Sequence, residues 1–309
     1  MDIQSISVVV PTKACVNNCK FCVSKMHDNP YCNNFDEIAY RKRIKRAAIA
    51  NVTTLILTGT GEPLQNSTFL HLLEGVLIDE NNPFPNIELQ TTGVLLDQVS
   101  EHIRSGEAVY FNAVFLRALG VNTISLSVSD IFDSENNWNI IGAPKKLRRD
   151  LPELCKFIKD QGFNLRLSLN MTNVYDNKYP EDILMRCKEL GADQITFRKL
   201  YGGGYDTPES EWVDENACKD KVITQIEEYI AGEVWHEHAS GYEYRKGGEG
   251  KRGYKLPFGA WVYSIDGMSV AIDDDCMAKN ESNENLKYVI LRENGKLYWA
   301  WDDEGSLIF

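Results

Sequence analysis

What this chain lacks narrows the field first. Its 309 residues contain no apolar run of the roughly eighteen residues a membrane-spanning helix needs, so no such helix is expected. The start, Met1-Asp2-Ile3-Gln4-Ser5, has neither a basic segment nor a long apolar core. No signal peptide is therefore expected, and the reading is a cytoplasmic protein. Positive charge is in deficit: 33 Lys and Arg stand against 45 Asp and Glu, giving a net charge of −12. Such a surface repels phosphate backbones, so general nucleic-acid binding is not expected. Cysteine is scarce late in the chain, where only Cys218 and Cys276 lie beyond residue 200. There is no internal repeat and no low-complexity tract.

What is present is alternation. Short apolar stretches at 6–12, 54–58, 87–91, 122–128, 164–170 and 193–199 read as strands. Between them lie stretches that read as helices: 35–50, 67–79, 96–105 with a short second one at 111–119, 144–161 and 180–190. In the 144–161 stretch Leu147, Leu151, Leu154 and Ile158 fall at helical spacing, and Gly162 is placed to end it. Pro180 starts the next helix and Gly191 ends it. Strands alternating with helices imply an α/β fold with parallel strands and helical crossovers. Six such units suit an open, partial barrel or a doubly wound sheet. In either case ligands bind at the C-terminal ends of the strands.

The pattern changes after Leu200. Residues 201–205 read as a glycine-rich loop, 214–230 as a helix and 239–256 as loop. Two hairpins are expected at the end. One turns on Asp266-Gly267, between 261–265 and 268–272; the other turns on Asn294-Gly295, between 288–291 and 296–301. The chain thus divides into residues 1–200, the core, and 201–309, an extension that closes the core or contacts substrate.

The chemistry begins at Cys15-Val16-Asn17-Asn18-Cys19-Lys20-Phe21-Cys22. Three thiolates this close together can wrap one metal centre, and soft thiolates select iron–sulfur clusters, zinc or Cu(I). A structural zinc needs a fourth ligand, and His27 lies near enough in sequence to supply it. A four-iron cluster on three cysteines instead leaves one iron open, as a catalytic cluster requires. Local spacing leaves both open. Cys155 and Cys187 sit within helical patterns and read as small buried hydrophobes.

A second group stands at the end of the second strand: Gly59-Thr60-Gly61-Glu62-Pro63-Leu64. Glycines there let a ligand approach the backbone, and a carboxylate can pair with a ligand ammonium. A C-x3-C-x-aromatic-C loop after the first strand, with G-x-G-E-P after the second, resembles the radical S-adenosylmethionine (radical SAM) superfamily. The resemblance runs over about residues 6–200, and these two motifs carry it. Thr60 stands where the commoner family form has glycine.

The resemblance implies a partial (β/α)6 barrel and an enzyme. It implies a [4Fe-4S] cluster on Cys15, Cys19 and Cys22, with S-adenosylmethionine chelating the open iron. By position, Gly59, Thr60, Gly61, Glu62 and Pro63 would hold the methionyl end, and Phe21 would lie near the adenine. Thr91, Ser127 and Asn170, at the ends of the third, fourth and fifth strands, would contact the cosubstrate. It further implies a one-electron donor such as flavodoxin or ferredoxin. The electron cleaves the cosubstrate to methionine and a 5′-deoxyadenosyl radical, which takes hydrogen from the substrate. With only two late cysteines, a single cluster is expected.

Nothing in the sequence names the substrate, which is left as a small molecule, a nucleotide or a peptide. Arg198 and Lys199 follow the sixth strand, so one of them can point into the barrel mouth; with Arg166 they suit an anionic ligand. Arg198 is counted with the cofactor-binding residues. The basic run Arg41-Lys42-Arg43-Lys45-Arg46 reads as a solvated helix face, with docking of an anionic partner as the alternative. Two competing functions are weighed. A radical methyltransferase would make Cys276, after the aspartate run 273–275, catalytic. A zinc- or iron–sulfur-stabilised binding module would not be an enzyme at all.

Overall fold

The computed structural model describes residues 2–26, 35–98, 111–232, 234–238, 241–245, 251–255, 261–273, 285–301 and 307–308. The core follows the expected alternation. Strands β1 (Asp2–Val10), β2 (Thr54–Gly59), β3 (Asn86–Thr91), β4 (Thr123–Val128), β5 (Asn164–Met171) and β6 (Gln194–Lys199) lie side by side in chain order. Each neighbouring pair is parallel. The cysteine loop carries the short helix α1 (Val23–Met26), and α2 (Glu37–Ile49) precedes β2. The later helices are α3 (Ser67–Asp79), α4 (Phe111–Leu119), α5 (Ser134–Ile141), α6 (Leu151–Asp160) and α7 (Pro180–Glu189). Among the described residues, no helix is long and apolar enough to cross a membrane.

The strands alternate in chemistry as well as in direction. Leu55, Leu57, Ile87, Leu89, Ile124, Leu126, Leu165 and Leu167 are buried with Leu70, Leu73, Leu116, Leu154 and Ile183 of the helices in one hydrophobic core. Burying each such side chain contributes roughly 1.5–3 kcal/mol. The residues between them face the other way. Ser5, Ser7, Glu88, Ser125, Ser168 and Asn170 are polar, yet they too are buried. A sheet whose polar face is buried must curl over it, which is how a barrel wall encloses an interior. Across that interior Arg166 bridges β3 and β6: it pairs with Glu88 and donates from Nε to Gln194 at 2.7 Å.

The extension joins both edges of this sheet, a connection that local sequence patterns do not reveal. It adds α8 (Pro208–Asn216), α9 (Asp220–Ala231), β7 (Val234–His238), β8 (Gly241–Arg245), β9 (Lys251–Lys255), β10 (Trp261–Ile265), β11 (Met268–Asp273), β12 (Asn285–Leu291) and β13 (Leu297–Tyr298). The sheet order is β13-β12-β1-β2-β3-β4-β5-β6-β11-β10-β9, with eleven strands. β12 runs parallel to β1, and β11 runs parallel to β6. Both expected hairpins form, at β10–β11 and β12–β13, but each is also a lateral extension of the core. Among the described residues the sheet stays open, because β9 and β13 end it without pairing to each other.

Several expected elements differ. The 144–161 helix is broken: a 3-10 turn at 145–147 is followed by a fresh start at Leu151. Pro152 sits in the first turn of α6, the place where its missing N–H does no harm. The 214–230 helix is two helices. Ala217 is extended and bridges Thr172, while Cys218 N–H donates to the Met171 carbonyl at 2.9 Å. That break docks the extension on the end of β5. The 239–256 loop contains β8 and β9, since alternating tyrosines favour strands once a partner is present. The 96–105 helix lies mostly outside the described residues; 94–97 form a turn.

Candidate active site

The cysteine loop leaves the end of β1 and passes directly over the end of β2. Two features explain the close approach. Gly61 has no side chain, and a Cβ there would lie 3.1 Å from the Cys15 Cβ and collide with the Thr12 hydroxyl. The residues after it then reach back. Gln65, in the 3-10 turn Pro63–Gln65, accepts from Val16 N–H at 2.7 Å and donates to the Ala14 carbonyl at 3.1 Å. One amide side chain therefore brackets Cys15 on both sides. Asn66 caps α3 and donates to the Pro11 carbonyl at 2.7 Å. Thr60 approaches Thr12 at 3.4 Å between hydroxyl oxygens.

The other side of the loop rests on the end of α5. Asn18 N–H donates to the carbonyls of Ile141 and Gly142 at 3.2 Å, and Lys20 N–H donates to Ile140 at 3.1 Å. Gly142 ends α5 in the left-handed region at φ 65°, and a Cβ there would strike the Asn18 carbonyl. The extension supplies a third wall. Trp212 of α8 lies 6.1 Å from Phe21 between ring centroids, and Glu209 of α8 pairs with Lys25 of α1 at 3.4 Å. Phe21 thus packs against an aromatic of the extension.

Cys15, Cys19 and Cys22 are half-buried free thiols. Burial pushes all three thiols up. Mutual repulsion adds to this: Cys22 and Cys15 raise Cys19, and Cys22 raises Cys15. Three thiolates there are costly unless a cationic centre takes their charge. As they stand, no three His, Cys, Asp or Glu side chains among the described residues converge round one point closely enough to hold a single ion. The loop offers three soft, unbridged donors that act on one another, which fits a thiolate-held iron–sulfur centre.

Glu62 lies beside this loop, 2% exposed. It accepts from Thr91 Oγ1 at 2.6 Å, Thr92 N–H at 3.1 Å and Thr92 Oγ1 at 3.0 Å. Asn17 of the cysteine loop donates to Thr92 Oγ1 at 2.9 Å, so the carboxylate and the loop share one network. Desolvation raises the Glu62 pKa, and the hydrogen bonds from Thr91 and Thr92 oppose that rise. No cation pairs with Glu62 among the described residues. Asn17 Oδ1 is also buried without a partner.

The remaining candidates divide. Asn170 donates to Ser127 at 3.0 Å and to Ser129 at 3.3 Å, so the ends of β4 and β5 form one polar cluster. Arg198 stands opposite Asn170 in the β5–β6 register and opposite Asp273 in the β6–β11 register. Its Nε lies 3.8 Å from the Asp273 carboxylate and is buried without a hydrogen bond. Lys199 points the other way and donates to Asp220 of α9 at 2.5 Å. Arg166 does not reach the mouth, being engaged by Glu88 and Gln194. Cys155 and Cys187 are buried core residues, and burial raises Cys155 to about 12. Cys276 and His27 lie outside the described residues.

Sequence reading placed Thr92 with Thr91 at the end of the third strand, but missed Gln65, Asn17 and Trp212. A signal for Gln65 and Asn66 was present: two adjacent amides directly follow the G-T-G-E-P-L stretch. Trp212 carried none.

Residues 9–172 match the sequence profile of the radical SAM superfamily. No curated protein matches the chain in sequence. Among solved structures, Streptococcus suis SuiB bound to precursor peptide SuiA superposes with a TM-score of 0.55 at 13% identity, covering 96% of this chain and 59% of SuiB. The anSMEcpe structure with bound AdoMet gives a TM-score of 0.55 at 13% identity, covering 96% of this chain and 73% of that one. Methylornithine synthase (PylB) gives a TM-score of 0.50 at 16% identity, covering 74% and 62%. This chain spans about three-fifths of the length of SuiB. At these identities the likeness establishes the fold: an α/β partial barrel whose mostly parallel sheet is unclosed.

Proposed function

The chain belongs to the radical SAM superfamily and is an enzyme, and from that premise we propose that it cleaves S-adenosylmethionine reductively at a single [4Fe-4S] cluster. Cys15, Cys19 and Cys22 hold the cluster in this reading. When bound, the cluster and cosubstrate supply one-electron cleavage to methionine and a 5′-deoxyadenosyl radical, which takes hydrogen from the substrate.

The chain's own residues position these groups. Glu62 receives the methionyl ammonium, the cation that its buried carboxylate otherwise lacks. Gly59, Thr60, Gly61 and Pro63 shape the backbone beside it. Thr91 and Thr92 aim the carboxylate and oppose the rise that burial gives its pKa. Ser127 and Asn170 offer a joined hydroxyl–amide pair to the cosubstrate. Arg198 faces an anionic group at the mouth, and Phe21 with Trp212 screens the cysteine loop from water. Residues 1–200 form the catalytic core, and 201–309 wall and buttress it.

The observation that carries this reading is the shared network: Asn17 and Thr92 tie the cysteine loop to the buried Glu62 carboxylate, which has no cation partner among the described residues. A flavodoxin or ferredoxin supplies the electron. The substrate is a small molecule, nucleotide or peptide. SuiB was solved with a precursor peptide, so a peptide is the first class to assay.

The test is anaerobic reconstitution followed by dithionite and S-adenosylmethionine. We expect about four irons per chain, an electron paramagnetic resonance signal that shifts when S-adenosylmethionine binds, and 5′-deoxyadenosine. A reducible cluster whose signal ignores S-adenosylmethionine, or zinc in place of iron, would overturn the proposal.

A further inference from the structure

One charge near the cysteines is placed by three separate contacts. Lys25 lies three residues beyond Cys22, in α1, and its N–H donates to the Cys22 carbonyl at 3.0 Å. Its ammonium donates to the Asn18 side chain, inside the C-x3-C segment. The same ammonium pairs at 3.4 Å with Glu209, which arrives from α8 of the extension. Lys25 is therefore held over the loop from within, and Glu209 is held beside it from outside. Trp212, one turn further along α8, packs on Phe21 and fixes that helix against the loop.

The two charges act on the cysteines with opposite signs. The Lys25 ammonium is bonded inside the C-x3-C segment and Glu209 stands 3.4 Å from it, so a positive and a negative charge both lie against the loop that carries the cysteines. A centre held by these thiolates gains one negative charge on reduction. A nearby cation stabilises the reduced form and a nearby anion the oxidised form.

Resting on the cluster reading above, we propose that Lys25 and Glu209 form a charge pair that sets the reduction potential of the centre on Cys15, Cys19 and Cys22. Through it, the extension tunes the core's electron affinity. The pair is partly exposed, so solvent weakens each charge. Both are positioning residues, since neither ligates.

The test is a redox titration of the reconstituted full-length enzyme, followed by electron paramagnetic resonance, with iron content measured for each variant. Lys25→Met should make reduction about tenfold less favourable, a downward shift of ~59 mV for a one-electron couple. Glu209→Gln should shift the potential upward by less than that. Lys25→Arg keeps the charge and should restore the wild-type value, which a merely structural role would not require. Equal potentials at equal iron content would overturn the proposal, as would shifts of one sign in both variants. If Lys25→Met holds no iron, Glu209→Gln decides alone: an unmoved or lowered potential overturns it. Failure of the cluster reading looks different, because wild-type protein would then give no reducible cluster to titrate.

Discussion

Two buried carboxylates, Glu62 and Glu88, sit in the same barrel wall and do opposite things. Both are almost inaccessible, at 2% and 4% exposure. Glu88 lies within β3 and is neutralised by Arg166, which Gln194 also holds. Glu62 lies just beyond β2 and, among the described residues, accepts only from hydroxyls and backbone N–H groups. A buried charge with its counter-ion built in is finished as a structure. A buried charge that is hydrogen-bonded but lacks a cation is stable enough to fold and still has an electrostatic demand to meet. The difference separates a part of the wall that holds shape from a part that is ready for a cationic ligand.

The sharpest way to break this comparison is to remove the cation from the finished pair. Arg166→Met strands Glu88, and we expect a loss of about 3 kcal/mol in denaturant unfolding. Deoxyadenosine formation per folded molecule should stay within about twofold. If cleavage collapsed while stability held, Arg166 would belong to the site and the division would fail.

Glu62→Gln makes the converse test. Calorimetry should show S-adenosylmethionine binding weakened about a hundredfold, or roughly 2.7 kcal/mol. Stability without ligand should be unchanged or higher. The pH dependence has a definite sign. Burial raises the folded pKa of Glu62 above its ordinary 4.5, so the folded state binds its proton more tightly than the unfolded state. The contribution to stability is full below pH 4.5 and is lost as pH rises through the folded value. That decline should be present in the wild type and absent from Glu62→Gln when their unfolding curves are compared.

The smallest effect is expected at Gln65. Its two bonds bracket Cys15 at the surface, where water can replace them. Gln65→Leu should cost about 1 kcal/mol or less. It should nevertheless raise the alkylation rate of Cys15 in metal-free protein by a few-fold, read by mass spectrometry. Unchanged Cys15 reactivity would show that the loop's contacts with α5, α8 and Thr92 hold it without Gln65.

Part of this division was readable in advance. Ile87-Glu88-Leu89-Gln90 and Arg166-Leu167-Ser168-Leu169-Asn170 alternate strictly, with the leucines in the core and the polar residues inward. That period of two already says that the inner face is polar. It does not say which inward arginine is spent. Arg166 and Arg198 look alike in sequence, and only the strand register sets one against Glu88 and the other against Asp273. The broken helix at Pro152 was also legible, but the leucine spacing across it suggested continuity.

Local chemistry, then, was settled by the chain itself. The C-x3-C-x2-C spacing, the G-T-G-E-P stretch at a strand end and the strand–helix alternation are short-range patterns, and short-range patterns fix element type and reactive groups. The tertiary structure decided everything that joins distant segments. It set β12 beside β1 and β11 beside β6, carried Glu209 to Lys25 and Trp212 to Phe21, and closed Asn17 onto Thr92 and Glu62. These contacts span tens to hundreds of residues. They depend on which surfaces meet once the core is buried, and no local periodicity encodes that choice.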